Sequence, residues 1–319
     1  MNSIKTAKYG SLTGVTFSET YENGVLKGCA FNQANHIKTP LGTLIPNHGA
    51  STLRNREGLS LEFFRNGQIK SIDLEEATEV ATSLGMISAE RLSFYESGRL
   101  HRLFPLNGRI SGYWTENDEY ALSTPISFDL PVGSFTARVI SLCFYESGAL
   151  KSLTLWPQEI IEIKSPDGLV KARFGFSLFE DGTLKSFEPA QPEPIDTPVG
   201  IILAYDCHAH GINCDQNSVT YGQDGTISSL LTSNSGLMVT TSDSTQLIQP
   251  LMKPGQIDPE VMIPEPMTLL FHEQRLEIVQ DTVMTVDLTQ HPVRSVLVHD
   301  PQTKSCDGCD SCSGCSHCG

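Results

Sequence analysis

The sequence predicts an all-β protein: an elongated repeat array, a β-solenoid of stacked hairpins. Three observations carry this. A twelve-residue segment occurs twice almost letter for letter, as LSFYESGRLHRL at 92–103 and LCFYESGALKSL at 142–153. Looser copies stand at 61–72, 176–187 and 219–230, with a partial one around Tyr21–Cys29. Apolar residues flank each turn glycine (Gly67, Gly98, Gly148, Gly182, Gly225) at fixed places, six and four residues before it and two and five after it. Helical periodicity is scarce: only 74–84 reads as a short helix, with strand as the alternative reading of the same stretch.

Within each copy the two apolar residues before the turn alternate, the period of a strand with one buried face. Four turn residues follow, such as Tyr145-Glu146-Ser147-Gly148. Glycine reaches positive φ without a steric penalty, and Asn, Asp or Ser before it supplies side-chain turn chemistry. The apolar spacing of three after the turn predicts a bulge or an early bend. The whole is a hairpin signature.

Between hairpins a second turn recurs as X-Pro-X-Gly, ending at Gly42, Gly133, Gly168 and Gly200, with Ser83-Leu84-Gly85 a proline-less relative. Proline presets φ and the glycine permits the corner. Residues 22–72 also align without a gap on 180–230, at a constant offset of 158. A block duplication therefore lies over the shorter repeat.

The array is expected to occupy 1–248. A proline-rich irregular connection (249–268), a terminal β segment that caps the array (269–300) and a short flexible cysteine-rich tail (301–319) follow it. The hairpin consensus at 21–27, 95–101, 145–151, 179–185 and 221–227 resembles MORN-type repeats, in particular the divergent, antitoxin-annotated variant written Y-x-(D/N/S)-G-x-L-K. The resemblance extends over roughly residues 15–235. It implies a β-hairpin sheet serving mainly as an interaction surface, and so a protein partner.

The net charge of −15 argues against a nucleic-acid partner, since phosphate backbones are met by concentrated Lys and Arg. The first fourteen residues have no apolar core of a secretory signal, and no apolar run approaches a membrane span. The expected compartment is the cytoplasm, where thiols stay reduced.

That expectation bears on the nine cysteines, five of which (Cys306, Cys309, Cys312, Cys315, Cys318) stand at every third residue of the tail. Gly, Ser, Asp and His317 separate them, so the backbone can wrap a centre and aim several thiolates inward. Thiolates suit zinc or an iron–sulfur cluster. The stretch is similar to the C-x2-C-x2-C half of a ferredoxin motif, but departs from it at the fourth cysteine, and the fifth has no place in it. A second candidate set is Cys207, His208, His210 and Cys214, two soft and two imidazole ligands on one loop. Loops also collect such residues without a metal, and that blander reading is preferred.

No nucleophile elbow, phosphate loop or zinc-protease helix is present, and the turn glutamates read as a solvated face. The function expected is a non-enzymatic scaffold for protein interaction with a metal or iron–sulfur motif at its C-terminus. The alternatives are an immunity- or antitoxin-like binding module with an incidental tail, and a thiol redox or electron-transfer protein.

Overall fold

The computed structural model describes residues 3–50, 52–54, 58–108, 113–210, 217–255 and 258–298. Over these the protein is nearly all-β, with a single helix, Glu116–Leu122. No helix among the described residues is long and apolar enough to cross a membrane. Two compact units are distinguished: Met1–Glu159 with Ser177–Thr183, and Ile160–Phe176 with the described residues from Leu184 on.

In the first unit the strands of the Gly24, Gly67, Gly98 and Gly148 hairpins lie in chain order in an antiparallel sheet. Each turn closes in the same way. The glycine N–H donates to the carbonyl three residues back, as Gly98 to Tyr95 and Gly148 to Tyr145, both at 2.9 Å. That glycine is left-handed, with φ of 86° at Gly98 and 93° at Gly148, which an L side chain adopts only under strain. The residue before it caps the turn. Asn23, Asn66, Ser97 and Ser147, and likewise Asp181 and Asp224, accept the backbone N–H two residues on.

The expected irregularity after the turn is a β-bulge. Cys143 pairs with Ser152 but Phe144 with Leu150, so Lys151 is left opposite no residue. The same shift leaves out Lys27, Lys70, His101 and Ser228 in their hairpins. The bulge brings both apolar residues after the glycine to one face, despite their spacing of three.

One row of side chains crosses the sheet of the first unit through direct cross-strand pairs. Cys29 faces Leu61, Leu61 faces Ile72, and Ile72 faces Leu92. Leu92 in turn faces Leu103, which faces Leu142, which faces Leu153. Every member is 0% exposed. In the second unit Phe187, Val219, Leu230, Leu269 and Ile278 make the corresponding row. Adjacent turns in the first unit are also stitched by hydroxyls: Tyr21, Tyr95 and Tyr145 donate to the carbonyls of Phe63, Phe144 and Leu178 at 2.8, 2.7 and 2.9 Å.

The X-Pro-X-Gly turns close two-residue hairpins that project as arms between the sheet hairpins. Thr39 pairs with Gly42, Leu130 with Gly133, Ser165 with Gly168 and Thr197 with Gly200. The stretch 74–84 is strand rather than helix. It continues Ile69–Thr82, turns at Thr82–Gly85 and pairs with Gly85–Phe94. Val80 packs opposite Ile87, and β-branched Thr78, Val80 and Thr82 favour that pairing over a helix.

Within the proline-rich 249–268, expected irregular, Leu251–Pro254 and Met262–Glu265 pair antiparallel. An isolated two-stranded ribbon tolerates proline because the missing N–H can face outward. The helix carries a capping box at its start, Thr115 with Asp118.

Replacing Leu142 by Ala removes the middle of the buried row and is expected to cost about 2–5 kcal/mol. The half-buried Leu100 should cost clearly less on the same change. Urea midpoints of the two variants make the comparison.

Candidate functional site

The tail cysteines Cys306, Cys309, Cys312, Cys315 and Cys318 lie outside the described residues, as does Cys214. Cys207, His208 and His210 follow the strand Gly200–Ala204. The Cys207 thiol is half-buried, 3.4 Å from the carbonyl oxygen of Pro264 and 3.5 Å from the Ser233 hydroxyl. The His208 backbone N–H donates to Asp206 at 2.7 Å, and His210 is exposed. Among the described residues no three His, Cys, Asp or Glu side chains converge on a point that could hold a metal ion. Cys207, His208 and His210 therefore do not form such a group by themselves.

The loop before them is fixed by charge. The Arg173 guanidinium donates to the Asp206 carbonyl at 2.8 Å and lies 4.5 Å from the Tyr205 ring centroid. It also sits 3.5 Å from the buried Glu188 carboxylate. Ser218 supplies that carboxylate with its backbone N–H at 2.8 Å and its hydroxyl at 2.7 Å. Burial raises the Glu188 carboxyl above its ordinary range, and the Ser218 hydrogen bonds and Arg173 only partly offset this. Next to Arg173, Phe174 has φ of 59°, a left-handed backbone that costs an aromatic residue on the order of 1–2 kcal/mol.

A second polar centre joins loop to helix in the first unit. Arg54 donates to Glu119 at 2.7 and 2.8 Å and to Glu90 at 2.6 and 3.1 Å. The Trp114 indole N–H reaches Glu119 at 2.7 Å, and the Asn107 and Gly108 amides reach Glu90 and Glu119. Glu119 is fully buried. Burial pushes its carboxyl up, but Arg54, Trp114 and the Gly108 amide outweigh that and hold it below its usual value. Arg54 thus spends its donors on two carboxylates, and the centre acts as a brace.

Neither centre is visible as a motif. Arg54, Glu90 and Glu119 are 36 and 65 residues apart from arginine to partner. Glu188 leaves a trace, because the position 158 residues earlier is Ala30. Trp156 is buried beside the Tyr120 ring, a core residue.

Two consequences are measurable. Burial lifts the Cys29 thiol to about 12, so it is protonated at neutral pH and should resist iodoacetamide until urea unfolds the chain. Mass-mapped labelling of native and denatured protein checks this. The lowered Glu119 carboxyl stabilises the fold above the ordinary carboxylate range, and this contribution is lost as pH falls through its folded value. Glu119→Gln should therefore cost roughly 1–3 kcal/mol at neutral pH, with the gap to wild type closing in acid. Denaturation midpoints across pH give the profile.

Against protein-family models, curated proteins and solved structures, the chain has no match.

Proposed function

We propose that the chain is a non-enzymatic repeat scaffold for protein interaction, its hairpins stacked as an elongated, MORN-like array, with a metal or iron–sulfur motif in its C-terminal cysteines. The observation that carries the scaffold reading is the single register recurring from hairpin to hairpin. Within each unit the residue five after one turn glycine meets the residue six before the next, as in Cys29–Leu61, Ile72–Leu92 and Leu103–Leu142 in the first and Phe187–Val219 in the second. Modules joined in this way present their surfaces periodically.

The arms add apolar contact points. The residue after the tight-turn glycine is a large hydrophobe left in water at Met86, Leu169 and Ile201, 63%, 70% and 60% exposed. Apolar side chains exposed at one recurring place favour a protein partner over a purely structural role.

The tail reading rests on the chemistry of its donors. Cys306, Cys309, Cys312, Cys315 and Cys318 offer more thiolates than the four that close a tetrahedral zinc site or hold an iron–sulfur cluster. The buried Cys29 and Cys143 stand apart from this chemistry inside the β-sheet.

Protein purified without oxygen is expected to carry zinc, or iron with acid-labile sulfide and a visible absorption band. Replacing Cys309 and Cys312 by Ser in the full chain should remove the metal and leave the urea midpoint unchanged. Metal-free protein after expression with iron and zinc supplied would overturn the tail reading.

A further inference from the structure

We infer that the hairpin Leu251–Pro254/Met262–Glu265 is a docking face for a cationic amphipathic helix of a partner protein. Its register puts Met252 opposite Pro264 and Pro254 opposite Met262, so these four apolar side chains share one face. Met252 and Met262 are 40% and 46% exposed, and Pro254 is exposed as well. Methionine repacks around varied apolar shapes, which suits a face that receives side chains from a helix.

The charge around this face selects the partner. Asp258 and Glu260, at the turn end of the hairpin, are exposed. The hairpin's lysine, Lys253, projects from the opposite face, where it is drawn to Asp281 at 3.2 Å and Glu265 at 3.8 Å. The apolar face thus has exposed carboxylates at its turn end, and the hairpin's own lysine is already engaged. A partner that brings lysine or arginine beside its apolar stripe gains on both counts.

The same chemistry excludes other occupants. Residues 299–319 hold no large apolar side chain and have three aspartates to one lysine. A second copy of the chain would set one acidic border against another. Anionic lipid would be repelled for the same reason.

This inference deepens the scaffold reading by giving one surface and the chemistry of its partner. The test uses the full chain and a fluorescent amphipathic helical peptide of leucine and lysine, with a leucine–glutamate peptide of the same pattern as control. Fluorescence anisotropy should show binding of the lysine peptide only. Met252→Gln with Met262→Gln, two exposed positions, should weaken it at least roughly tenfold. Asp258→Asn with Glu260→Gln should flatten its salt dependence. Circular dichroism confirms that the variants keep the fold.

Equal binding by the methionine variant overturns the inference, as does equal binding of the glutamate peptide or of zwitterionic vesicles. If Leu169→Gln with Ile201→Gln abolishes binding instead, the partner sits on the arms: this inference fails and the scaffold reading stands. No binding of the lysine peptide removes this inference alone, because the scaffold reading commits to no partner chemistry.

Discussion

The register of the sheet depends on one interaction, the direct facing of fully buried apolar residues across each strand pair. A strand has a period of two, so a slip of one residue would move Leu142 and Phe144 off the face of the apolar row and put Cys143 and the half-exposed Tyr145 in their place. Both neighbours of that strand oppose such a slip, because Leu142 meets Leu103 on one side and Leu153 on the other. Cys29 meets Ser18 on one side and Leu61 on the other, and is likewise fully buried. Inner strands are therefore aligned from both sides.

The turn glycine and the bulge after it make that facing possible. The left-handed glycine returns the chain with an offset, and the unpaired Lys151 absorbs one residue so that Leu150 and Leu153 reach the same face. This accounts for what was legible in the sequence. Glycine, its Asn, Asp or Ser neighbour and the spacing of three are each local requirements of a single turn, and they appear as letters at fixed distances. The tight arms are legible for the same reason, since Thr39-Pro40-Leu41-Gly42 states its turn within four residues.

What was not legible is whatever depends on residues far apart. The stretch 74–84 carries charges at helical and strand spacing alike, and its pairing with Gly85–Phe94 decides the matter. The seven-residue helix is too short to show a periodicity, and only its capping pair Thr115–Asp118 marks it. The Arg54 brace is invisible because its carboxylates come from a sheet strand and from that helix. The tail is the reverse case, a dense local pattern whose chemistry is legible without its surroundings.

The duplicated blocks separate what the fold requires from what it permits. At the offset of 158, Cys29–Leu61 becomes Phe187–Val219 and Ile37–Leu44 becomes Ile195–Ile202, so the registers are the same while the side chains change. The amide of Asn47 donates to the Asp73 carbonyl, and that of Tyr205 to the Leu231 carbonyl, at the same two places. The serine shared by the blocks differs in its surroundings. Ser60 is buried with its hydroxyl unpartnered among the described residues, and its N–H donates to the Cys29 carbonyl. Ser218, its counterpart, gives both N–H and hydroxyl to Glu188, which stands where the first block has Ala30. A buried carboxylate is costly unless donors meet it. The spare hydroxyl at this position meets that condition, and Arg173 adds the compensating charge. The same backbone ladder thus carries an apolar and a charged version of one position, and the serine hydroxyl at its neighbour, unpartnered in the first block among the described residues, is a donor to the carboxylate in the second.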